Sequence, residues 1–137
     1  MSISVVILAA GQGTRMKSNT AKVLHQISGK PMLFHAIDAA QKISNDITVV
    51  LYHQAAQIQE AIEQAYQNIR FHMQDAVQFP GTGGAMKGVV VSHEKVLILN
   101  GDMPLITMEA LESLTQGNAD INMSVIKLEN PSGYGRV

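Results

Sequence analysis

Residues 5–9, Val-Val-Ile-Leu-Ala, interrupted at no point by a polar side chain, form an unbroken apolar run rich in β-branched residues. A strand with one wet face alternates apolar and polar residues, so an unbroken run marks a strand buried on both faces. Such a strand needs cover above and below its sheet, and the chain supplies helical segments in alternation with further strands. Pro31 stands where it can open a helix, because its missing N–H would have no partner in a first turn. Leu33, Ala36, Ile37 and Ala40 follow it at i, i+3, i+4, i+7 spacing, which makes one apolar helical face. Residues 47–52 read as a second strand, and Ala55, Ile58, Ala61, Ile62 and Ala65 as a second helical stripe. Residues 69–73 read as a short third strand and residues 96–99 as a fourth. Thr107 suits the N-cap of a helix through Leu111 and Leu114, and residues 121–128 read as a fifth strand. Residues 83–91 stay open: their place in the alternation favours a helix, while their glycines and Val89-Val90-Val91 oppose one. The alternation predicts a three-layer, Rossmann-like α/β fold with a mainly parallel sheet.

Composition narrows the function classes. Apolar residues make up 46% of the 137 residues and charged residues 15%, the balance of one folded domain. Ten Lys and Arg stand against eleven Asp and Glu, so no net basic field draws in nucleic acid or an anionic membrane. The absence of cysteine removes disulfides and thiolate metal sites and fits a reducing, cytoplasmic setting. The apolar start is short, lacks a preceding positive charge and runs straight into a glycine motif, so it reads as a strand and not as a signal peptide. The five histidines show no close ligand spacing and read as surface or half-buried side chains. The pairs Glu60 with Glu63 and Glu109 with Glu112 fall on polar helix faces and read as solvated surface.

In parallel α/β folds ligands bind outside the carboxyl ends of the strands, and the two sharpest motifs fall there. After the first strand comes Gly11-Gln12-Gly13-Thr14-Arg15. Glycines at such a turn let backbone N–H groups approach a phosphate, and Arg15 adds a permanent cation with a donor fork. Lys22 brings a second cation. The plain alternative is a glycine turn with two solvated basic residues. The dinucleotide-binding pattern requires a third glycine where Met16 stands, and a Walker pattern requires Gly-Lys-Ser/Thr, which is absent after Gly81-Thr82-Gly83-Gly84. The second motif, Asn100-Gly101-Asp102-Met103-Pro104, places a carboxylate at the end of the fourth strand, suited either to a metal bridging phosphates or to a turn before Pro104.

Residues 8–16, Leu-Ala-Ala-Gly-Gln-Gly-Thr-Arg-Met, with Lys22 and the run 23–32, resemble the opening of the sugar-nucleotide pyrophosphorylases. Gly81-Thr82-Gly83-Gly84-Ala85, the Asp102 motif and Pro131-Ser132-Gly133-Tyr134-Gly135-Arg136 narrow the resemblance to the N-acetylglucosamine-1-phosphate uridylyltransferases that also carry a glucosamine-1-phosphate acetyltransferase. By that resemblance residues 1–137 are the N-terminal part of one nucleotidyltransferase domain that continues past Val137. A left-handed β-helix acetyltransferase domain, which makes the relatives homotrimers, would lie outside it. The implied reaction joins UTP to N-acetylglucosamine-1-phosphate, giving UDP-N-acetylglucosamine for cell-wall precursors and pyrophosphate, with Mg2+ as cofactor. Leu8, Ala9, Ala10, Gly11 and Gly13 would lie along the nucleotide, with Gln74, Gly81 and Thr82 completing the base pocket. Arg15 and Lys22 would hold the triphosphate, Asp102 the magnesium, and Asn100, Gly101 and Gly135 would approach the sugar substrate.

The sequence departs from the family pattern in four places. Gln12 replaces a common Lys, Ala21 a Pro, and Asn100 a common Tyr. The spacer between Gln74 and Gly81 is long, which leaves Gln78 as a rival reader of the base. The alternatives are a relative acting on another base or sugar, or a non-catalytic nucleotide-binding regulatory subunit.

Overall fold

The structure, a computed structural model, describes residues 2–11, 19–125, 127–130 and 132. In chain order its elements are β1 (Ile3–Leu8), a 3-10 turn (Lys22–Leu24), β2 (Gln26–Ile27), β3 (Lys30–Pro31), α1 (Met32–Gln41), β4 (Asp46–Leu51), α2 (Ala55–Ala65), β5 (Ile69–Met73), α3 (Gly81–Ala85), β6 (Lys95–Asn100) and α4 (Met108–Thr115). The main sheet has the order β5-β4-β1-β6, and every pairing in it is parallel. The unbroken apolar run therefore belongs to an inner strand, and Val5, Val6 and Ile7 have no exposed surface (0%). Leu8 pairs with Val50 on one side and Asn100 on the other, so the strands end level at one rim of the sheet.

The pleat sorts the strand residues between two unequal layers. Ile3, Val5 and Ile7, with Ile47, Val49 and Leu51 and with Leu97 and Leu99, share one large core with Leu33, Ala36, Ile37 and Ala40 of α1, Ile58 and Ile62 of α2, and Leu111 of α4. These are the stripes expected from the 3.6-residue period. Val6 and Val50, on the opposite face, form a smaller cluster with Ala85, against which Leu8, Ala10, Met86, Val89 and Val91 pack. That second outer layer is thin, and it leaves Val96 and Ile98 of β6 exposed by 38% and 47%.

One expectation is corrected and one open stretch is resolved. Residues 121–128 were expected to add a strand, yet none of the described residues in that stretch belongs to a helix or strand. Ile121 and Val125 are 78% and 59% exposed. Alternating apolar residues create a strand face but no hydrogen-bonding partner, and no described strand pairs with them. In the open stretch 83–91, a helix forms only as far as Ala85, and Gly88 at φ 82° cannot continue it. Thr107 caps α4 as expected, its Oγ1 accepting from the N–H of Ala110 at 3.2 Å. The hairpin of β2 and β3 has a clear local cause: Ser28 and Gly29 both take positive φ, 53° and 77°, as a two-residue primed turn requires.

Opposite the level rim, a polar clamp ties the strand starts together. The Asp46 carboxylate accepts from the Ser4 hydroxyl, the Arg70 guanidinium and, at 3.0 Å, the N–H of Ser92. Burial opposes its ionisation, but the Ser4 and Ser92 hydrogen bonds and the Arg70 charge outweigh that and hold its carboxyl below the usual range. Among the described residues no helix is long and apolar enough to cross a membrane.

Candidate functional site

A cavity of about 460 Å³ opens across the carboxyl ends of the strands. Its centre is the exit of β1: Leu8, Ala9, Ala10 and Gly11 all line it. Ala9 N–H still donates to Val50 O at 2.9 Å, a sheet-like bond just past the end of β1. On the other side Gly101 N–H donates to Leu8 O at 2.9 Å. A Cβ on Gly101 would stand 2.9 Å from Leu33 Cδ1 and 3.2 Å from Leu8 O. Gly101 is thus a packing glycine beneath the cavity and does not line it, whereas its neighbours Asn100 and Asp102 do.

At the β5 edge, Gln74 lines the cavity at 8% exposure. Its Nε2 donates to Phe79 O at 3.0 Å and to Gly81 O at 3.1 Å. Two carbonyl partners orient the amide with its NH2 toward the loop 75–81, which leaves Oε1 as the group free to accept from a ligand. Gln78 is exposed and does not line the cavity; its backbone N–H donates to Asp75 Oδ1 at 3.1 Å. Of the two rival glutamines, only Gln74 reaches the site. Gly81 and Thr82 line the same wall from the start of α3.

At the β6 edge, Lys22 Nζ donates to Asp102 Oδ2 at 3.1 Å. The two side chains are each 42% exposed, so the pair adds little to stability and keeps both groups open to a ligand. The 3-10 turn delivers Lys22 and the end of β6 delivers Asp102, 80 residues later in the chain. Among the described residues no group of three or more His, Cys, Asp or Glu could hold a metal ion by itself. A lone reachable carboxylate still suits magnesium, which binds through one or two carboxylates while substrate phosphates and water supply the rest. Gly13, Arg15 and Gly135 lie outside the described residues.

The acidic pairs meet the expectation of solvated surface: Glu60, Glu63, Glu109 and Glu112 are all exposed, and Glu60 and Glu63 accept from Gln64 and Gln59 one helical turn away. Tyr52, His53 and Gln54 also line the cavity, just past the end of β4. The sequence placed Tyr52 in the second strand and read His53 as a surface or half-buried histidine, giving none of the three a ligand role, although ligands sit at the carboxyl end of β4 as they do at those of β1 and β6.

The cavity thus lies where the strands of a parallel sheet end, with a cation–carboxylate pair on its wall, and the chain's relatives give the class of protein that carries it. Residues 5–133 match the MobA-like NTP transferase domain, and the chain belongs to that family. It is 74% identical over 137 residues to a bifunctional protein GlmU from a Sulfurovum species, a match covering all of this chain and 32% of that protein. A bifunctional protein GlmU from a Nitratiruptor species is 59% identical, again over all of this chain and 32% of its own length. The chain thus spans about a third of the length of these curated relatives, at 32% of each. Among solved structures, a nucleotidyl transferase from Methanothermobacter thermautotroptrophicus superposes with a TM-score of 0.71 at 24% identity, covering 82% of this chain and 56% of that one. That likeness concerns the fold. HddC from Yersinia pseudotuberculosis, complexed with GMP-PN, has a TM-score of 0.63 at 28% identity over 82% of this chain and 54% of its own.

Proposed function

We propose that this chain is the nucleotide-binding part of a cytoplasmic N-acetylglucosamine-1-phosphate uridylyltransferase, and that residues 1–137 are the N-terminal part of one nucleotidyltransferase domain. The observation that carries the reading is the spread of the cavity from Gln74 at the β5 edge to Lys22 and Asp102 at the β6 edge. Three inter-strand spacings separate those edges, about 14 Å, room for an extended nucleotide. The base belongs at the Gln74 end. A free amide oxygen there can accept from the N3–H of uracil and equally from the exocyclic amine of cytosine, so the amide alone does not choose between them. The relatives named bifunctional protein GlmU favour uracil and the N-acetylglucosamine phosphate.

In the proposed reaction a phosphate oxygen of the sugar phosphate attacks the α-phosphorus of UTP. A new P–O bond forms, the bond to the β-phosphate oxygen breaks, and pyrophosphate carries away the electron pair. The attacking oxygen is already anionic at neutral pH and needs no general base, so positioning and charge neutralisation do the work. Lys22 would neutralise phosphate oxygens, Arg15 and the N–H groups of Gly11 and Gly13 would cradle the triphosphate, and Asn100 and Gly135 would face the sugar. Asp102 would hold magnesium together with the phosphates. The ion, when bound, supplies charge neutralisation on the transferring phosphoryl group.

The test is a magnesium-dependent panel of UTP, CTP, GTP, ATP and NAD against this chain, read by ligand-observed NMR. Selective UTP binding is expected. Preference for another triphosphate would overturn the uridylyl assignment, and NAD binding would overturn the transferase reading.

A further inference from the structure

Lys22 owes its place beside Asp102 to the three residues before it. Asn19, Thr20 and Ala21 belong to no helix or strand, yet Ala21 is 2% exposed and lines the cavity. The first turn of α2 holds this segment. Gln57 Oε1 accepts from Ala21 N–H at 2.6 Å, and Gln57 Nε2 donates to Asn19 O at 3.3 Å. Gln54 Nε2 donates to the same carbonyl at 2.9 Å. One primary amide thus offers an acceptor and a donor to a stretch of backbone, as a neighbouring strand would. The clasp is well mounted, because Ile58, next to Gln57, is buried in the main core. Gln54 sits in left-handed backbone, φ 53° and ψ 34°, a conformation uncommon for a residue with a Cβ. Gln57 does not line the cavity, so any influence on a bound nucleotide must pass through Ala21 and Lys22.

The geometry points to Gln57 as a positioning residue of the nucleotide site, seconded by Gln54. Its amide fixes the exit of the glycine motif, so that Lys22 faces the phosphates of the bound nucleotide and not open solvent. This rests on the uridylyltransferase reading above. Gln74, Gly81 and Thr82 stand on the other side of the cavity and share none of these hydrogen bonds. The clasp therefore governs the phosphate end and leaves the base end alone.

The experiment compares the unaltered chain with Gln57→Met, which keeps side-chain length and removes both hydrogen-bonding groups. Three quantities are measured: magnesium-dependent UTP affinity, uridine affinity and thermal melting. Loss of two modest hydrogen bonds predicts UTP binding weakened about tenfold, with uridine binding unchanged and cooperative melting retained. Unchanged UTP affinity overturns the proposal. So does a parallel loss of UTP and uridine binding, which would make Gln57 a merely structural residue. If Gln57→Met fails to fold, Gln57→Asn decides by the same split, since it keeps the amide, withdraws it from Ala21 N–H and Asn19 O, and leaves the cavity wall untouched. Should the unaltered chain prefer another triphosphate, the uridylyl reading fails, while the Gln57→Met comparison run with that triphosphate still decides the clasp. If it binds no triphosphate, both ideas fall.

Discussion

Replacing Gly101 by alanine adds one methyl group at a crowded point beneath the cavity. Gly101 has no need of glycine's conformational range; what it lacks is space. The new Cβ would meet Leu33 Cδ1 at 2.9 Å, Leu8 O at 3.2 Å and Ala9 Cβ at 3.5 Å. The first contact is with the end of a flexible side chain, but Leu33 is itself fully buried (0% exposed) and has nowhere to retreat without disturbing α1. The second contact is with backbone, and pressing on it moves the Leu8–Gly11 exit that lines the cavity. Overpacking of this kind costs about 1–3 kcal/mol, which for a chain of this size lowers Tm by roughly 3–12 °C. Thermal and urea unfolding of Gly101→Ala give the cost. The Leu33 contribution is isolated by repeating the substitution in a Leu33→Val background, where removal of Cδ1 should recover about 0.5–1 kcal/mol of coupling. Melting of Gly101→Ala indistinguishable from the parent would refute the close-packing argument. An equal cost in both backgrounds would show that Leu33 is not the obstacle.

Lys22→Met is expected to leave Tm almost unchanged, because a pair of half-exposed side chains contributes about 0–1 kcal/mol. Magnesium-dependent UTP binding, measured by titration, should nevertheless weaken about tenfold or more; a large stability loss with normal binding would make the Lys22–Asp102 contact structural. For Asp46, the folded-state carboxyl lies below its ordinary value, so its stabilisation is present above the unfolded pKa and is lost as pH falls through the folded one. Asp46→Asn should therefore cost about 1.5–3 kcal/mol near neutral pH, with the difference from the parent shrinking below about pH 4. Denaturant unfolding at several pH values checks this, and a gap independent of pH would contradict it.

Much of the scaffold was legible because its causes are local. The double-sided burial of β1 shows in its unbroken apolar run, the inner faces of α1 and α2 in their spacing, and the start of α4 in Thr107. The same locality explains the misreading of residues 121–128. Ile121, Met123 and Val125 have strand-like alternation, but a strand exists only where another backbone accepts its hydrogen bonds, and no sequence window displays that partner. Residues 83–91 were ambiguous for a related reason: Val89 and Val91 are apolar because they cover Val6 and Val50, not because they repeat at a helical period.

For the candidate site, the sequence by itself determined which groups are available and their place at the strand ends: small residues at the exit of β1, a basic Lys22, a carboxylate after β6. Those follow from composition and from the order of elements along the chain. Only the tertiary structure decided which groups meet. It brought Lys22 to Asp102, put Gln74 and not Gln78 on the cavity wall, set Gly101 beneath the cavity, and joined Gln57 to a segment 36 residues earlier. Each of those outcomes depends on strand order, parallel register and helix placement, so the distances that make them are properties of the folded chain, and sequence spacing carries no trace of them.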